Sequence, residues 1–231
     1  RIAILDNFCW PSCDDPCQLG SLVRAAEGCY DAAIAYATPF VSGKDSLNNQ
    51  FTTEDGDVIA IVPTLLITGL GIVANVEHTC TMDAKSPGNL LLIIGGTTNT
   101  MGGSHFVQVC GATVDADASA INRYIARVDL QSGPRHASYV AQLVAQGLVA
   151  SAHDCSDGGL IVAAAEMAFA GRVGLDIDLA GLPVIDSAPP LNDHARCFAE
   201  TPSRYLLEVV PSQLDQVMRC LRDANVSAGQ V

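Results

Sequence analysis

The chain has 231 residues, 49% of them hydrophobic, which is enough to bury one large core or two modest ones. Its 25 acidic residues outnumber its 12 basic residues, so the formal net charge is −13. This balance argues against nucleic acid or an anionic membrane as a general partner. Any phosphate ligand must then be held by a few local donors.

The nine cysteines are an odd number, scattered over a chain with enough apolar residues to fold without cross-links. A reduced, cytoplasmic protein is the better interpretation. Cys9, Cys13 and Cys17 recur every four residues, but prolines and acids intervene and no fourth ligand follows at a zinc-like spacing. Free thiols are therefore favoured there over a metal site.

The first elements are predicted to carry polar residues to one edge of a sheet. Ile2 to Leu5 predict a strand that delivers Asp6 to its end, and apolar residues at helical spacing predict a helix from 21 to 37. Pro39 disfavours a helical conformation at the preceding residue and so ends that helix. Because the chain then returns along the sheet, we expect Asp6 and Gly43 at the same edge.

The stretch from 38 to 49, TPFVSGKDSLNN, concentrates polar groups behind a short apolar run. The run predicts a buried strand that enters a turn at Ser42-Gly43. Glycine allows close approach to a ligand, Lys44 brings a mobile charge, and Ser46 can hydrogen-bond phosphate or hydroxyl oxygens. We expect Asp6, Gly43 and Ser46 to line one cleft for a phosphorylated ligand. A hairpin loop with a solvated lysine is the alternative, and the P-loop pattern is not met.

An uncharged run from 58 to 76 is long enough to span a bilayer. A proline and two glycines interrupt it, so two buried strands, 58–62 and 65–73, explain it better. A polar connector from 74 to 87 follows. It marks the predicted boundary between domains 1–76 and 77–231.

Beyond the connector, periodic apolar residues predict further helices and strands. Strands are predicted at 90–94, 173–179 and 204–210, and helices at 134–147, at 161–171 and after a capping box of Ser212 and Asp215. Helices and strands alternate throughout, which predicts an α/β or α+β fold with two layers.

The stretch HDCSDGGL, from 153 to 160, places carboxylates and a hydroxyl at the start of a predicted helix. Free N–H groups there favour anions, and two acids beside an anion imply a divalent cation between them. Asp154 and Ser156 are therefore candidate ligands. The alternative is that Ser156 or Asp157 only caps the helix.

Five motifs in order give the chain a specific resemblance. They are LDNFCW from residue 5, GCYDAA from 28, TPFVSGKDSLNN from 38, PTLLI from 63 and HDCSDGGL from 153. Together they resemble the phosphoribosylformylglycinamidine synthase family of purine-pathway ligases along nearly the whole chain. The resemblance implies an aminoimidazole-ribonucleotide-synthetase-like fold, with a partial A-type domain followed by a nearly complete B-type domain. An earlier A–B pair and the first half of the A-type domain are expected upstream, and the last B-type strand is expected to be clipped.

The resemblance also implies roles for particular residues. Asp6 and Gly43 fall on positions that contact ATP in the compact form of the synthase, and Ser46 falls on one that contacts the ribonucleotide substrate. Lys44 departs from that form, which has a magnesium-ligating asparagine there. An ammonium has no lone pair for a cation, so Lys44 is expected to meet phosphate directly, as in the large fused form.

In that large form, Asp154 and Ser156 fall on positions that bind Mg²⁺ and a second nucleotide, which is structural and does not turn over. The catalytic histidine is expected in the first half of the synthetase, so no catalytic residue is assigned to this chain. The stretch from Glu200 to Arg204 is similar to an acid-to-arginine element of the family. A buried ion pair is its favoured interpretation, and a ligand contact the second.

The implied reaction joins formylglycinamide ribonucleotide, ATP and ammonia from a glutaminase partner. This chain alone is expected to be inactive. One alternative is a nucleotide-holding scaffold that contributes no turnover. The other is a sister enzyme such as selenophosphate synthetase or a hydrogenase maturation factor. The sequence motifs that begin at Leu5 and at Gly43 argue against such an enzyme.

Overall fold

The computed structural model describes residues 1–110, 125–185 and 190–231. These form two compact units, Arg1–Ala74 and Asn75–Val231. Among the helices within those ranges, none combines the length and the apolar character needed to cross a membrane.

The first unit is built on a three-stranded sheet in which β1 is the central strand. Strand β1 (Ile2–Cys9) pairs in parallel with β2 (Phe40–Ser46) and antiparallel with β5 (Thr64–Gly71). Between β2 and β5, β3 (Gln50–Thr52) and β4 (Val58–Ala60) form a hairpin. The parallel β1–β2 pair needs a crossover connection, which the helix α1 (Pro16–Tyr36) supplies.

Helix α1 begins earlier than its apolar periodicity predicted. Pro16 is its first residue, and the Asp15 carboxylate accepts a hydrogen bond of 2.8 Å from the Cys17 N–H group. A proline in the first turn removes only an N–H group that has no partner within the helix. The sequence prediction treated this proline as part of a loop, and the predicted start at Ser21 was wrong.

The turn predicted at Ser42-Gly43 was also wrong. Strand β2 continues through both residues to Ser46, because each residue from Ser42 onward pairs with a residue of β1. The strand was expected to be buried, but Val41 is 62% exposed.

The second unit is built on a four-stranded antiparallel sheet in the order β7-β8-β6-β9. The strands are β6 (Leu90–Ile94), β7 (Ser151–Asp154), β8 (Tyr205–Val209) and β9 (Ala228–Gln230). The helices are α2 (His105–Cys110), α3 (Ser132–Ala145), α4 (Gly159–Gly171), α5 (Asp193–Phe198) and α6 (Leu214–Asp223). The predicted α/β class is confirmed.

Helices cover both faces of this sheet, so the second unit has three layers and the predicted two layers were wrong. Ile93 packs in one core with Leu160 and Met167 of α4. Leu92 packs in the other core with Leu143 of α3 and Val217 of α6. A continuous apolar run such as that of β6 is typical of a strand buried on both faces. Each fully buried side chain of this kind contributes roughly 1.5–3 kcal/mol to folding.

Two expected features of the second unit differ in the structure. Residues 173–178, although apolar at alternate positions, form no strand in the described chain. Val173, Leu175, Ile177 and Leu179 instead rest against the core beside α4. Helix α6 follows a 3-10 turn at Pro211–Gln213, and no described side chain caps it, so the predicted capping box was wrong.

Glu208 of β8 is a buried carboxylate that holds the polar connector against the sheet. It is 2% exposed and accepts hydrogen bonds from Ser151 Oγ at 2.7 Å, Asn89 Nδ2 at 2.6 Å, and the N–H groups of Lys85 at 2.7 Å and Ser86 at 3.1 Å. Burial raises the pKa of this carboxyl, but the hydrogen bonds outweigh that effect and lower the pKa below its ordinary value.

We expect Glu208→Gln to destabilise the second unit at pH 7 by about 2 kcal/mol or more, since an amide NH₂ would then face N–H donors. Because the pKa of Glu208 is lowered on folding, its contribution is present above the unfolded pKa of about 4.3 and is lost as the pH falls through the folded value. The difference in melting temperature between wild type and variant should therefore narrow below about pH 4. Glu54→Gln, at an exposed position, is the matched control, and a difference that stays constant down to pH 3 would contradict the assignment.

Candidate functional site

In the first unit, Asp6 and Gly43 lie side by side on neighbouring strands. They are direct partners in the register of β1 and β2. A Cβ atom added to Gly43 would lie 1.5 Å from Asp6 Oδ1, so the carboxylate occupies the space that a side chain at 43 would need. Asp6 lies inside β1, which runs on to Cys9, and not at a strand end as predicted.

Lys44 and Ser46 lie together on the other face of the sheet. Successive side chains of a strand point to opposite faces, so residues 44 and 46 project away from the side on which Asp6 covers Gly43. Lys44 is exposed, and its Nζ donates to Ser46 Oγ. The expectation that Asp6, Gly43 and Ser46 line one cleft is therefore wrong for Ser46 within this unit.

The ends of β1 and β2 are joined by Asn49, whose role the sequence analysis missed. Its Nδ2 donates to the carbonyl oxygens of Ser46 at 2.8 Å and Trp10 at 3.2 Å. Trp10 is buried and donates from Nε1 to Ser21 Oγ at 2.9 Å. The LDNFCW motif thus anchors β1 to both α1 and the strand that carries Lys44.

In the second unit, Asp154 is the last residue of β7 and Ser156 follows in the turn to α4. Ser156 Oγ donates to the Asp154 carboxylate, and His153 Nδ1 lies 3.2 Å from it. The hydrogen bond from Ser156, supported by His153, lowers the pKa of Asp154 despite partial burial. The carboxylate is therefore ionised at neutral pH and suited to a cation.

Asp154 and Ser156 line a cleft of about 450 Å³ together with Asp157, Glu200 and Arg204. Between the two predicted ligands lies Cys155, whose buried side chain has its pKa raised to about 11, chiefly by desolvation. The cysteine is therefore a neutral packing residue, and the polar groups of the cleft come from its neighbours.

Helix α4 is not capped by Ser156 or Asp157, which removes the alternative explanation for those residues. Its N-cap is Gly158, in the left-handed region at φ 76°, and neither the Ser156 nor the Asp157 side chain accepts a hydrogen bond from the start of the helix in the described structure. The Gly158 N–H group donates to Glu200 Oε1 at 2.8 Å. Gly159 is also left-handed, and a Cβ there would lie 2.6 Å from the Ala199 carbonyl oxygen.

The predicted ion pair between Glu200 and Arg204 was wrong, since the two residues form none in the described structure. Arg204 is 2% exposed and donates to Thr97 Oγ1 at 2.9 Å and to the carbonyl oxygens of Thr201, at 3.1 Å, and Ala199. Burial lowers the pKa of its guanidinium. Backbone carbonyl oxygens therefore compensate most of the buried charge.

Sequence reasoning missed the grouping of His105 with Asp157 and Glu200. His105 Nδ1 lies 3.3 Å from Glu200 Oε1 and 3.7 Å from Asp157 Oδ1. The only signal was a histidine directly after the Gly102-Gly103-Ser104 run, at the start of a short helix.

Comparisons with known proteins agree with this architecture. Residues 86–231 match the model of the AIR synthase related protein, C-terminal domain. Two curated relatives are the phosphoribosylformylglycinamidine synthase subunits PurL of Rhodopseudomonas palustris HaA2 and Rhodospirillum rubrum. Each is 34% identical to the chain, of which 100% and 97% are covered. The chain spans only 29% and 28% of the lengths of these relatives.

Solved structures show the same fold at lower identity. T. maritima PurL complexed with FGAR matches with a TM-score of 0.71 at 19% identity, over 100% of this chain and 36% of that one. E. coli HypE matches with a TM-score of 0.65 at 14% identity, over 99% of this chain and 65% of that one. At these identities the likeness concerns the fold alone.

We expect Gly43→Ala to displace the Asp6 carboxylate or spread β1 from β2, at a cost of about 1–3 kcal/mol. Thermal unfolding of the full-length protein measures this loss of stability. Gly69→Ala on β5 is the matched control, because a Cβ there meets no described atom within 4 Å.

The double variant Asp6→Ala/Gly43→Ala tests whether the carboxylate causes the clash. It should be more stable than the sum of the two single changes predicts. Strictly additive effects would contradict the arrangement.

Proposed function

The chain belongs to the AIR synthase-related family, and on that premise we propose that it is part of a phosphoribosylformylglycinamidine synthase. This ATP-dependent ligase would convert formylglycinamide ribonucleotide and glutamine-derived ammonia to formylglycinamidine ribonucleotide. The curated relatives that carry this name match almost the whole chain. The chain spans less than a third of them, so under this proposal the remaining parts of the reaction would belong to other segments of the synthase.

The first unit is assigned to ATP and the ribonucleotide. The observation that carries this assignment is the contact between the exposed Lys44 and the half-buried Ser46, an ammonium beside a hydroxyl, on the strand whose Gly43 is covered by Asp6. Lys44 would neutralise charge on a phosphate, Ser46 would hydrogen-bond the ribonucleotide, and Asp6 and Gly43 would contact ATP. T. maritima PurL has been solved with ATP, ADP and AMPPCP, which supports a nucleotide for its relatives.

The proposed chemistry needs no protein nucleophile. ATP would phosphorylate the formamide oxygen of the substrate to give an iminophosphate, and ammonia would displace the phosphate. Positioning and electrostatic stabilisation supply most of the catalysis in phosphoryl transfer. An ammonium, a hydroxyl and strand backbone groups are therefore a sufficient contribution from this chain, which carries no assigned catalytic residue.

The second unit is assigned to a further nucleotide that is held and does not turn over. The ionised Asp154 fits Mg²⁺, a cation that prefers oxygen ligands, and Ser156 would donate to a phosphate oxygen. Mg²⁺ would neutralise the repulsion between Asp154, Asp157 and a polyphosphate. In the scaffold alternative, this holding role is the whole contribution of the chain.

The proposed partners are a glutaminase domain or subunit and the first A–B domain pair of the same synthase. A structure described as PurLQS from Thermotoga maritima, in which one chain matches this fold, supports such an assembly. A cytoplasmic location is part of the proposal. HypE and thiamine-monophosphate kinase share the fold at 14% and 16% identity, so the fold by itself does not select the ligase.

We expect Lys44→Met in the full-length enzyme to raise the KM for ATP or the ribonucleotide by about ten- to a hundredfold, because a hydrogen bond to a charged group is lost. The melting temperature should hardly change, since Lys44 is exposed. Lys44→Arg keeps the charge and should recover most of the affinity. A large loss of thermal stability with unaltered kinetics would show a structural lysine instead.

Asp154→Asn should lower the melting temperature of the nucleotide-loaded full-length protein and leave the nucleotide-free protein nearly unchanged. A ligand that binds only the folded state stabilises it by RT ln(1 + [L]/Kd), or roughly 2.7 kcal/mol at a hundredfold excess. Asp176→Asn, at an exposed position of the same unit, is the control. Equal destabilisation with and without nucleotide would refute a ligand role for Asp154.

A further inference from the structure

His105, Asp157 and Glu200 approach one another from three separate segments of the second unit. His105 opens α2, Asp157 lies in the turn before α4, and Glu200 follows α5. One potential ligand atom from each lies within 4.8 Å of the others. The grouping is therefore a product of the fold and not of local sequence.

Glu200 is held in place before any ligand arrives. Its Oε1 accepts hydrogen bonds of 2.8 Å from the N–H groups of both His105 and Gly158, and its side chain is only 20% exposed. The same two contacts fix the backbone at His105 and beside Asp157. Preorganised groups bind a ligand without the entropic cost of ordering them.

We propose that His105, Asp157 and Glu200 bind a divalent first-row transition cation such as Mn²⁺ or Zn²⁺. Bonds of about 2.1 Å at tetrahedral or octahedral angles separate neighbouring ligand atoms by roughly 3.0–3.4 Å. His105 Nδ1 lies 3.7 Å from Asp157 Oδ1 and 3.3 Å from Glu200 Oε1. Because Oε1 already accepts two N–H groups, Glu200 would bind the cation through Oε2, the other oxygen of the same carboxylate. The Asp157 side chain is 83% exposed and free to close that small difference.

The charge of the cleft favours a cation. Asp154, Asp157 and Glu200 all line it, while the charge of Arg204 is already engaged by carbonyl and hydroxyl oxygens. The imidazole distinguishes this site from the Mg²⁺ site proposed at Asp154, because nitrogen ligands suit transition metals and Mg²⁺ prefers oxygen ligands.

The cation site does not depend on the ligase proposal. The competing explanation is a metal-free ion pair of protonated His105 with the two carboxylates.

Mn²⁺ is the probe of choice, since the nine free thiols would compete for Zn²⁺. The full-length protein is titrated with Mn²⁺ in Mg²⁺-free buffer, and free Mn²⁺ is counted by electron paramagnetic resonance. His105→Ala and Asp157→Asn should each weaken one bound Mn²⁺ by at least about tenfold. Asp157→Asn preserves the shape of the side chain at an exposed position, so its effect on Mn²⁺ affinity tests the site even where His105→Ala impairs folding. His78→Ala, at an exposed histidine outside the cluster, should change nothing.

Electron spin-echo modulation from ¹⁴N then identifies the ligand. Bound Mn²⁺ should show imidazole modulation that is lost in His105→Ala and retained in Asp154→Asn, which separates this site from the nucleotide site. Mn²⁺ binding and ¹⁴N modulation unchanged in both His105→Ala and Asp157→Asn would overturn the proposal and establish the metal-free ion pair. Modulation lost in Asp154→Asn but kept in His105→Ala would overturn it as well.

Discussion

Backbone groups supply many of the hydrogen bonds that satisfy the buried and half-buried charges of the second unit. Glu200 accepts from two N–H groups, Arg204 donates to two carbonyl oxygens, and Glu208 accepts from two further N–H groups. A buried charge without partners costs several kcal/mol, and hydrogen bonds from fixed backbone groups compensate it without burying a second charge. The segment 200–208 thereby fixes the start of α2, the start of α4 and the end of the polar connector, so the cleft around Asp154 depends on it.

In the first unit, the main constraint is the close packing of a side chain against a glycine on the neighbouring strand. Parallel pairing places Asp6 opposite Gly43, and the carboxylate takes the volume of the missing side chain. The strand alternation that puts Asp6 on one face puts Lys44 and Ser46 on the other. A ligand that contacts both Asp6 and the pair of Lys44 and Ser46 must therefore pass around the end of β2 or lie against the backbone of Gly43.

Patterns that depend on neighbouring residues were predictable, and those that depend on distant partners were not. Helices α3 and α4 were predicted nearly at their observed bounds from their apolar periodicity, and strand β6 from its continuous apolar run. Alternation at 173–179 is equally regular, yet it reflects packing against α4 without a neighbouring strand. At the sites, the resemblance to a family's acid-to-arginine element suggested pairing Glu200 with Arg204. The actual partners of Glu200 are N–H groups of His105 and Gly158, which only the tertiary fold brings near.

The strand order of the second unit makes the pairing of β6 depend on strands that lie far along the chain. Strand β6, near the start of the unit, has β8 and β9 as its neighbours, with Leu90 opposite Val209 and Ile94 opposite Ala228. Pairings between such remote residues form slowly, because closing the long intervening loop costs entropy before the contact stabilises the structure. During synthesis, the strands that flank β6 in the described sheet therefore become available only after almost all of the unit has been made. Until then the apolar β6 is a surface that chaperones can recognise and a point from which aggregation can begin.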